Sequence, residues 1–174
     1  MASMASEPAP VMVGLHELKA LLRIDGGAED ALLAGFLRSA WAACEAFTGL
    51  LLVARPGEEI LEADGRWRRL VAAPVQAIEQ VEAPDGAALP VEQWSVDIDA
   101  DGNGWVRAMG GGQRRVRARF RAGLAADWNG VPEPLRHGIV RLAAHLYTGR
   151  EDGGAAPPAA VAALWRPWRR LRVG

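Results

Sequence analysis

The apolar residues of this chain change period twice, and that change limits what the chain can fold into. Leu33, Leu37, Ala40, Cys44 and Phe47 step by four and three, and Leu32, Phe36 and Trp41 widen the stripe. Side chains spaced in this way stack along one face of a helix. Leu135, Ile139, Leu142 and Leu146 repeat the pattern near the other end. Between them, from Arg55 to Leu124, the helical period disappears. Gly, Pro and Asp there punctuate runs of about five to eight residues, the texture of strands and turns. The pattern predicts an α+β fold: a helical bundle formed by an N-terminal helix pair and a C-terminal helix, with a β-rich antiparallel insert and a C-terminal docking tail.

The helix ends are marked locally. A short helix is expected over 15–24, with Leu15, Leu18, Leu21 and Leu22 inward and His16, Lys19 and Arg23 outward; Asp25-Gly26-Gly27 breaks it. A second helix spans 28–48, with Glu29 and Asp30 in the first turn, where negative charge suits the helix dipole, and Gly49 closing it. A third spans 132–149. Pro132 sits in its first turn, where a missing N–H costs nothing, and Gly149 is expected to close it in the left-handed conformation. Candidate strands are 59–63, 66–71, 75–82, 91–98, 104–108 and 114–121. Pro84-Asp85-Gly86 and Asp101-Gly102-Asn103-Gly104 read as hairpin turns. Residues 1–12 are small, polar and Pro-containing and are expected to form a disordered arm. Residues 13–150 are expected to be a single domain, with insert 55–124, and 151–174 a linker and docking segment.

Length and composition narrow the function classes. A chain of 174 residues is enough for one domain of ordinary size with a real core, expected to be modest because many of its hydrophobic residues are Ala. Its formal net charge of −1 argues against a bulk nucleic-acid binder, although a local basic patch is compatible with it. A single cysteine, Cys44, excludes an internal disulfide and sits in a helical apolar stripe, as a small buried hydrophobe would. No run approaches the ~18 apolar residues that span a bilayer. The N-terminus lacks the pattern of a secretory signal, so a soluble intracellular protein is expected.

Candidate chemistry is sparse. Asp97, Asp99, Asp101 and Asn103 resemble the start of a calcium loop, but the twelfth position is Ala108 or Gly110, depending on the start, and neither supplies a bidentate Glu. A plain polar hairpin is the expected reading. His137, Arg141 and His145 share one helix face; the two His are two turns apart, and no Cys or acid completes a zinc set. No serine lies in a nucleophile turn, and Cys44 is inside a helix rather than at an activating start. Gly110-Gly111-Gly112 precedes a strand, so it lacks the helix N-terminus of a phosphate cradle. No enzyme, metal or cofactor is expected.

Two features invite a partner. On the last strand Val116, Ala118 and Phe120 face one way and Arg115, Arg117, Arg119 and Arg121 the other. Such a ladder is either a solvated face with local acidic partners or a contact with an acidic subunit surface or nucleic-acid phosphate. The tail holds Val161, Leu164, Trp165, Arg166, Trp168, Arg169, Arg170 and Arg172. Trp and Arg are the residue types that anchor protein interfaces. The alternative is that the Trp residues fold back on the chain's own core. Pro167, within only about two turns, weighs against membrane-surface binding.

Taken together, the motifs resemble the head–tail connector (adaptor) proteins of long-tailed phages, prophages and gene transfer agents. The likeness runs through Leu18-Lys19, Leu22-Arg23-Ile24-Asp25, Glu29-Asp30, Leu32-Leu33 and Ala46-Phe47-Thr48-Gly49. It continues in Pro74-Val75, Ile78, Val81, Arg117, Arg119-Phe120, Ala122-Gly123 and Val131-Pro132. It ends in Leu142-Ala143-Ala144-His145-Leu146-Tyr147, Arg150, Pro157-Pro158-Ala159, Val161, Leu164 and Pro167-Trp168-Arg169. Trp168 stands where the family pattern has Tyr, and the aromatic–Arg pair is kept. The resemblance implies a structural adaptor, usually a dodecameric ring beneath the portal, that joins the DNA-filled head to the stopper or tail-completion protein. Such a ring lines the DNA channel without sequence-specific binding. The tail residues 161–172 would dock on the portal, and the Arg ladder would serve an inter-subunit or tail-side contact. Assembly is expected in the bacterial cytoplasm and the final place in the particle. The competing expectation is a small nucleic-acid-binding or regulatory module using strand 114–121.

Overall fold

The computed structural model describes residues 2–4, 11–109, 114–150 and 158–170. The elements run β1 (Ala2–Met4), α1 (Val11–Leu22), α2 (Asp30–Thr48), β2 (Arg55–Glu62), β3 (Trp67–Arg69), β4 (Val75–Glu82), β5 (Trp94–Ile98), β6 (Gly104–Ala108), β7 (Arg115–Ala122), α3 (Glu133–Thr148) and α4 (Ala159–Trp165). The fold is α+β. The chain divides into two compact units, one joining residues 1–7 to 53–126 and one joining 8–52 to 127–174. The expected single domain over 13–150 is therefore two bodies, and part of the expected disordered arm is a strand. Three residues of β1 pair with β2 through main-chain groups, which need no side-chain pattern to announce them.

The β unit has two antiparallel sheets, in the orders β1-β2-β7-β4 and β3-β6-β5. The central strand β7 pairs along its full length with β2 (Arg55↔Ala122 to Glu62↔Arg115) and on its other side with β4. Its alternation is strict: Val116, Ala118, Phe120 and Ala122 are fully buried, while the arginines face outward. Glu59 of β2 points into the buried face. It accepts the Val71 N–H at 2.9 Å, and burial pushes its carboxyl above the usual range. The sheets approach closely where Val75 of β4 lies against Gly104 of β6. A Cβ at 104 would fall 2.8 Å from Val75 Cγ2, so only glycine fits there. The two ends of the 53–126 segment meet: Val53 bridges Ala125, and the Ala54 N–H donates to Ala125 O at 2.8 Å.

The helical unit packs α1, α2 and α3 on one another and α4 on α3. Leu18, Leu33, Leu37, Leu135, Ile139 and Leu142 form its buried centre, with Leu21 and Leu32 left on the surface. α1 starts earlier than expected and ends at Leu22, where Arg23 takes a positive φ of 56°. Gly49 ends α2, as expected, and does so in the left-handed conformation; Gly149, expected to be left-handed, is not (φ −90°), though its N–H still reaches His145 O. Trp128, which the sequence leaves in a loop, is a core residue. It stacks on Trp41 at 5.5 Å and donates to Glu17 at 3.1 Å. Tyr147 donates to Glu29 at 2.8 Å, tying the end of α3 to the start of α2. Cys44 is buried, and burial, with the charge of Glu45 beside it, pushes its thiol up to about 12.

The acidic β5–β6 turn is internally satisfied. Asp99 accepts from Asn103 N and Nδ2 (both 2.8 Å), Asp101 N (3.0 Å) and Trp105 Nε1 (3.1 Å). These donors, Asn103 foremost, hold its carboxyl down at about 2, against an ordinary 3.8. A depressed carboxylate pKa means that the native turn prefers the charged form. Its stabilisation is complete above the unfolded value of 3.8 and is lost as pH falls through about 2. Asp99→Ala should therefore lower the urea midpoint at neutral pH, and the gap to the parent should close in acid. A gap independent of pH would show that the charge plays no part.

Candidate functional site

The arginine face of β7 is built by register. Across β7, Glu82 of β4 stands opposite Arg117, and Glu58 of β2 stands opposite Arg119. Arg117 reaches Glu82 at 3.2 Å, Glu58 at 3.8 Å and the Pro84 carbonyl at 2.9 Å. Arg119 reaches the same Glu82 oxygen at 3.2 Å. The Glu82 side chain is only 3% exposed, so two guanidinium groups clamp one buried carboxylate. Arg121 makes a long hydrogen bond to Ala54 O at 3.5 Å, and Arg115 is exposed. Four positive charges in a row are thus tolerated because β2 and β4 supply acids between them. Arg115, Arg119 and Arg121 keep exposed heads on that face.

The C-terminal segment folds onto the helical unit. Of the expected docking residues, Val161 and Trp165 are 1% and 3% exposed and are internal, contrary to a role as free anchors. The reason lies in α3. Gly138 has no side chain on the buried face, and the Trp165 indole occupies the vacated space. A Cβ at 138 would lie 2.8 Å from Trp165 Cε2 and closer still to Nε1. The indole N–H donates to Leu135 O at 3.4 Å, and its ring lies 5.9 Å from Phe47. After α4 a single turn over Arg166–Trp168 leads to Arg170, whose N–H donates to Thr48 O at 2.8 Å. Arg169 stands over the Phe47 ring at 5.7 Å. What the segment presents outward is Arg166 and Arg169, exposed, with Leu164 and Trp168 half-buried. Arg172, the linker 151–157 and Gly110–Gly112 lie outside the described residues.

The other candidates do not assemble into a reaction centre. Arg141 Nε donates to His137 Nε2 at 3.0 Å on the surface of α3, one turn apart, and His145 is half-buried further along. Among the described residues no three His, Cys, Asp or Glu side chains gather as a metal set, and no helix is long and apolar enough to cross a membrane. Sequence reasoning missed Glu82, Gly138 and Trp128. A glycine at 138, in phase with Leu135, Ile139 and Leu142, was the available signal for a large ring arriving from elsewhere.

Comparison with known proteins gives one consistent result. No family model and no curated protein matches the sequence. Solved structures are similar over nearly the whole chain, among them the following three. The neck of an empty GTA particle computed with C6 symmetry contains a chain of 30% identity and TM-score 0.78. The virion of a native gene transfer agent (GTA) particle contains one of 32% identity and TM-score 0.76. The neck of a native GTA particle computed with C12 symmetry contains one of 30% identity and TM-score 0.76. Each match covers 99% of this chain and 97% of the other.

Two substitutions test this geometry. Gly→Ala in a helix interior ordinarily gains up to about 1 kcal/mol. Gly138→Ala should instead lose about 1–3 kcal/mol, because the Cβ overpacks the indole; urea denaturation reads the sign, and a gain would unseat Trp165 from this notch. Arg117→Ala with Arg119→Ala strands the buried Glu82 carboxylate and should cost about 3–5 kcal/mol. Adding Glu82→Gln should recover part of the loss; no recovery would mean that the clamp is not electrostatic.

Proposed function

This chain belongs to the family of neck proteins of gene transfer agent (GTA) particles, and on that premise we propose that it is the head–tail adaptor of such a particle. It has a structural role in a phage-like particle, and its place is in that particle. In the proposed role, copies form a ring, twelvefold like the symmetry of one related neck. The ring sits beneath the portal, carries the stopper or tail-completion protein and lines a channel that DNA passes without sequence-specific binding. Assembly takes place in the bacterial cytoplasm, and no catalytic step is involved. The observation that carries this reading is a likeness of about 30% identity over the full length of both chains to proteins in neck assemblies.

The geometry supports a division of labour within the C-terminal segment. Val161 and Trp165 hold it on the helical unit, and Arg166, Trp168, Arg169 and Leu164 offer the docking face to the portal. An aromatic flanked by guanidinium groups suits a protein interface. The near-neutral net charge of −1 suits a channel that must release DNA, since a strongly basic lining would bind phosphate. The pairing of Arg117 and Arg119 with Glu82 and Glu58 favours an internal and inter-subunit role for that face over phosphate binding.

The test is capture from particle-producing cells, read by mass spectrometry, with the full chain and with Arg166→Glu plus Trp168→Ala. The full chain should bring down a portal-like ring protein. The variant should lose about tenfold or more of it, as expected for an interface hot spot. Equal capture by both would remove the docking role from this segment, and capture of no particle protein would overturn the adaptor reading.

A further inference from the structure

The strand β1 is the first element of the chain and pairs with one from its middle. It lies at the outer edge of the four-stranded sheet and pairs Ala2↔Glu59, Ser3↔Glu58 and Met4↔Gly57. It is 3 residues long against the 8 of β2, so part of the β2 edge extends beyond it. The chain then continues through Ala5–Pro10 into α1, which belongs to the other compact unit. Pro8 and Pro10 carry no N–H and cannot extend the ladder.

We propose that β1 is an exchangeable strand: in the assembled ring each copy lays its β1 on the β2 edge of the next copy. This rests on the ring reading above. The main-chain bonds of an antiparallel ladder are the same whether the strand comes from the same chain or from an identical neighbour, so exchange leaves the contacts intact. A three-residue ladder holds weakly alone, but side-by-side copies in a ring keep a neighbour's strand at high effective concentration. Donor and acceptor are different surfaces, the N-terminal arm and the β2 edge. Such a pair can repeat head to tail around a cyclic ring, and the ring, rather than reciprocal exchange in a two-fold dimer, is the arrangement that the proposed function supplies. A covered β2 edge also protects the free subunit from edge-to-edge aggregation before it joins the ring.

The register supplies the experiment. Paired residues across an antiparallel ladder have Cα atoms about 4.5–5.5 Å apart, within disulfide range. Ser3→Cys and Glu58→Cys are made in separate full-length chains, co-expressed in particle-producing cells, and the particles oxidised and run on non-reducing gels. Buried Cys44 stays out of the reaction. The expected result is a covalent bond between the two chains as the main product, against at least a tenfold weaker one for the off-register pair Ser3→Cys with Glu62→Cys. A double variant, Ser3→Cys with Glu58→Cys in one chain, should run as covalent oligomers up to the full ring. If rings form but the mixed chains stay unlinked while the double variant closes within itself, exchange is overturned and the ring stands. If no ring is found in any particle fraction, the ring reading falls and the exchange with it.

Discussion

An α-helix can receive an indole ring only where it has no side chain in the way. Gly138 gives α3 that gap, and the end of the chain is organised around it. With Trp165 seated, Val161 is brought to the same buried face, Phe47 closes over the ring, and the turn that follows directs the Arg170 N–H onto the last carbonyls of α2. The C-terminal segment is therefore a part of the helical core that carries an outward edge. That edge is what remains for a partner: two guanidinium groups and a half-buried indole in fixed positions. A preorganised edge of this kind gives up little side-chain entropy on docking.

The β unit solves a different problem with the same economy of residues. β7 must bury one face completely and carry an arginine at every other position on the opposite face. Strand pairing resolves this because register, once set by the buried alternation, also sets which acids stand opposite which bases. Glu82 serves two arginines at once, and Glu58 approaches one of them from the other side. The ladder that looks repulsive in one strand is close to neutral in three.

Periodicity made much of this legible before the structure. The stripes of α2 and α3 and the alternation of β7 needed only spacing, and all six candidate strands exist, β4 and β6 with the expected bounds and the others with shifted ends. What stayed hidden depends on main-chain bonds or on partners distant in sequence. β1 carries no side-chain pattern over three residues. Trp128 sits in a loop, and only the folded chain brings it against Trp41. Trp165 looks identical in sequence whether it faces a partner or its own core; the deciding residue, Gly138, lies 27 positions away. Asp99 resembles a metal ligand until its four donors are counted.

The inserted part of the β unit, residues 53–126, leaves and rejoins the chain at neighbouring points, with Val53 bridged to Ala125 and Ala54 bonded to it, while β1 joins the same unit from before α1. An insert whose ends touch hangs from a stem, and here the β1 strand ties it to the chain a second time. Loops away from that stem and away from the β1–β2 pair can therefore change length at little cost to the pairing that holds the ends together.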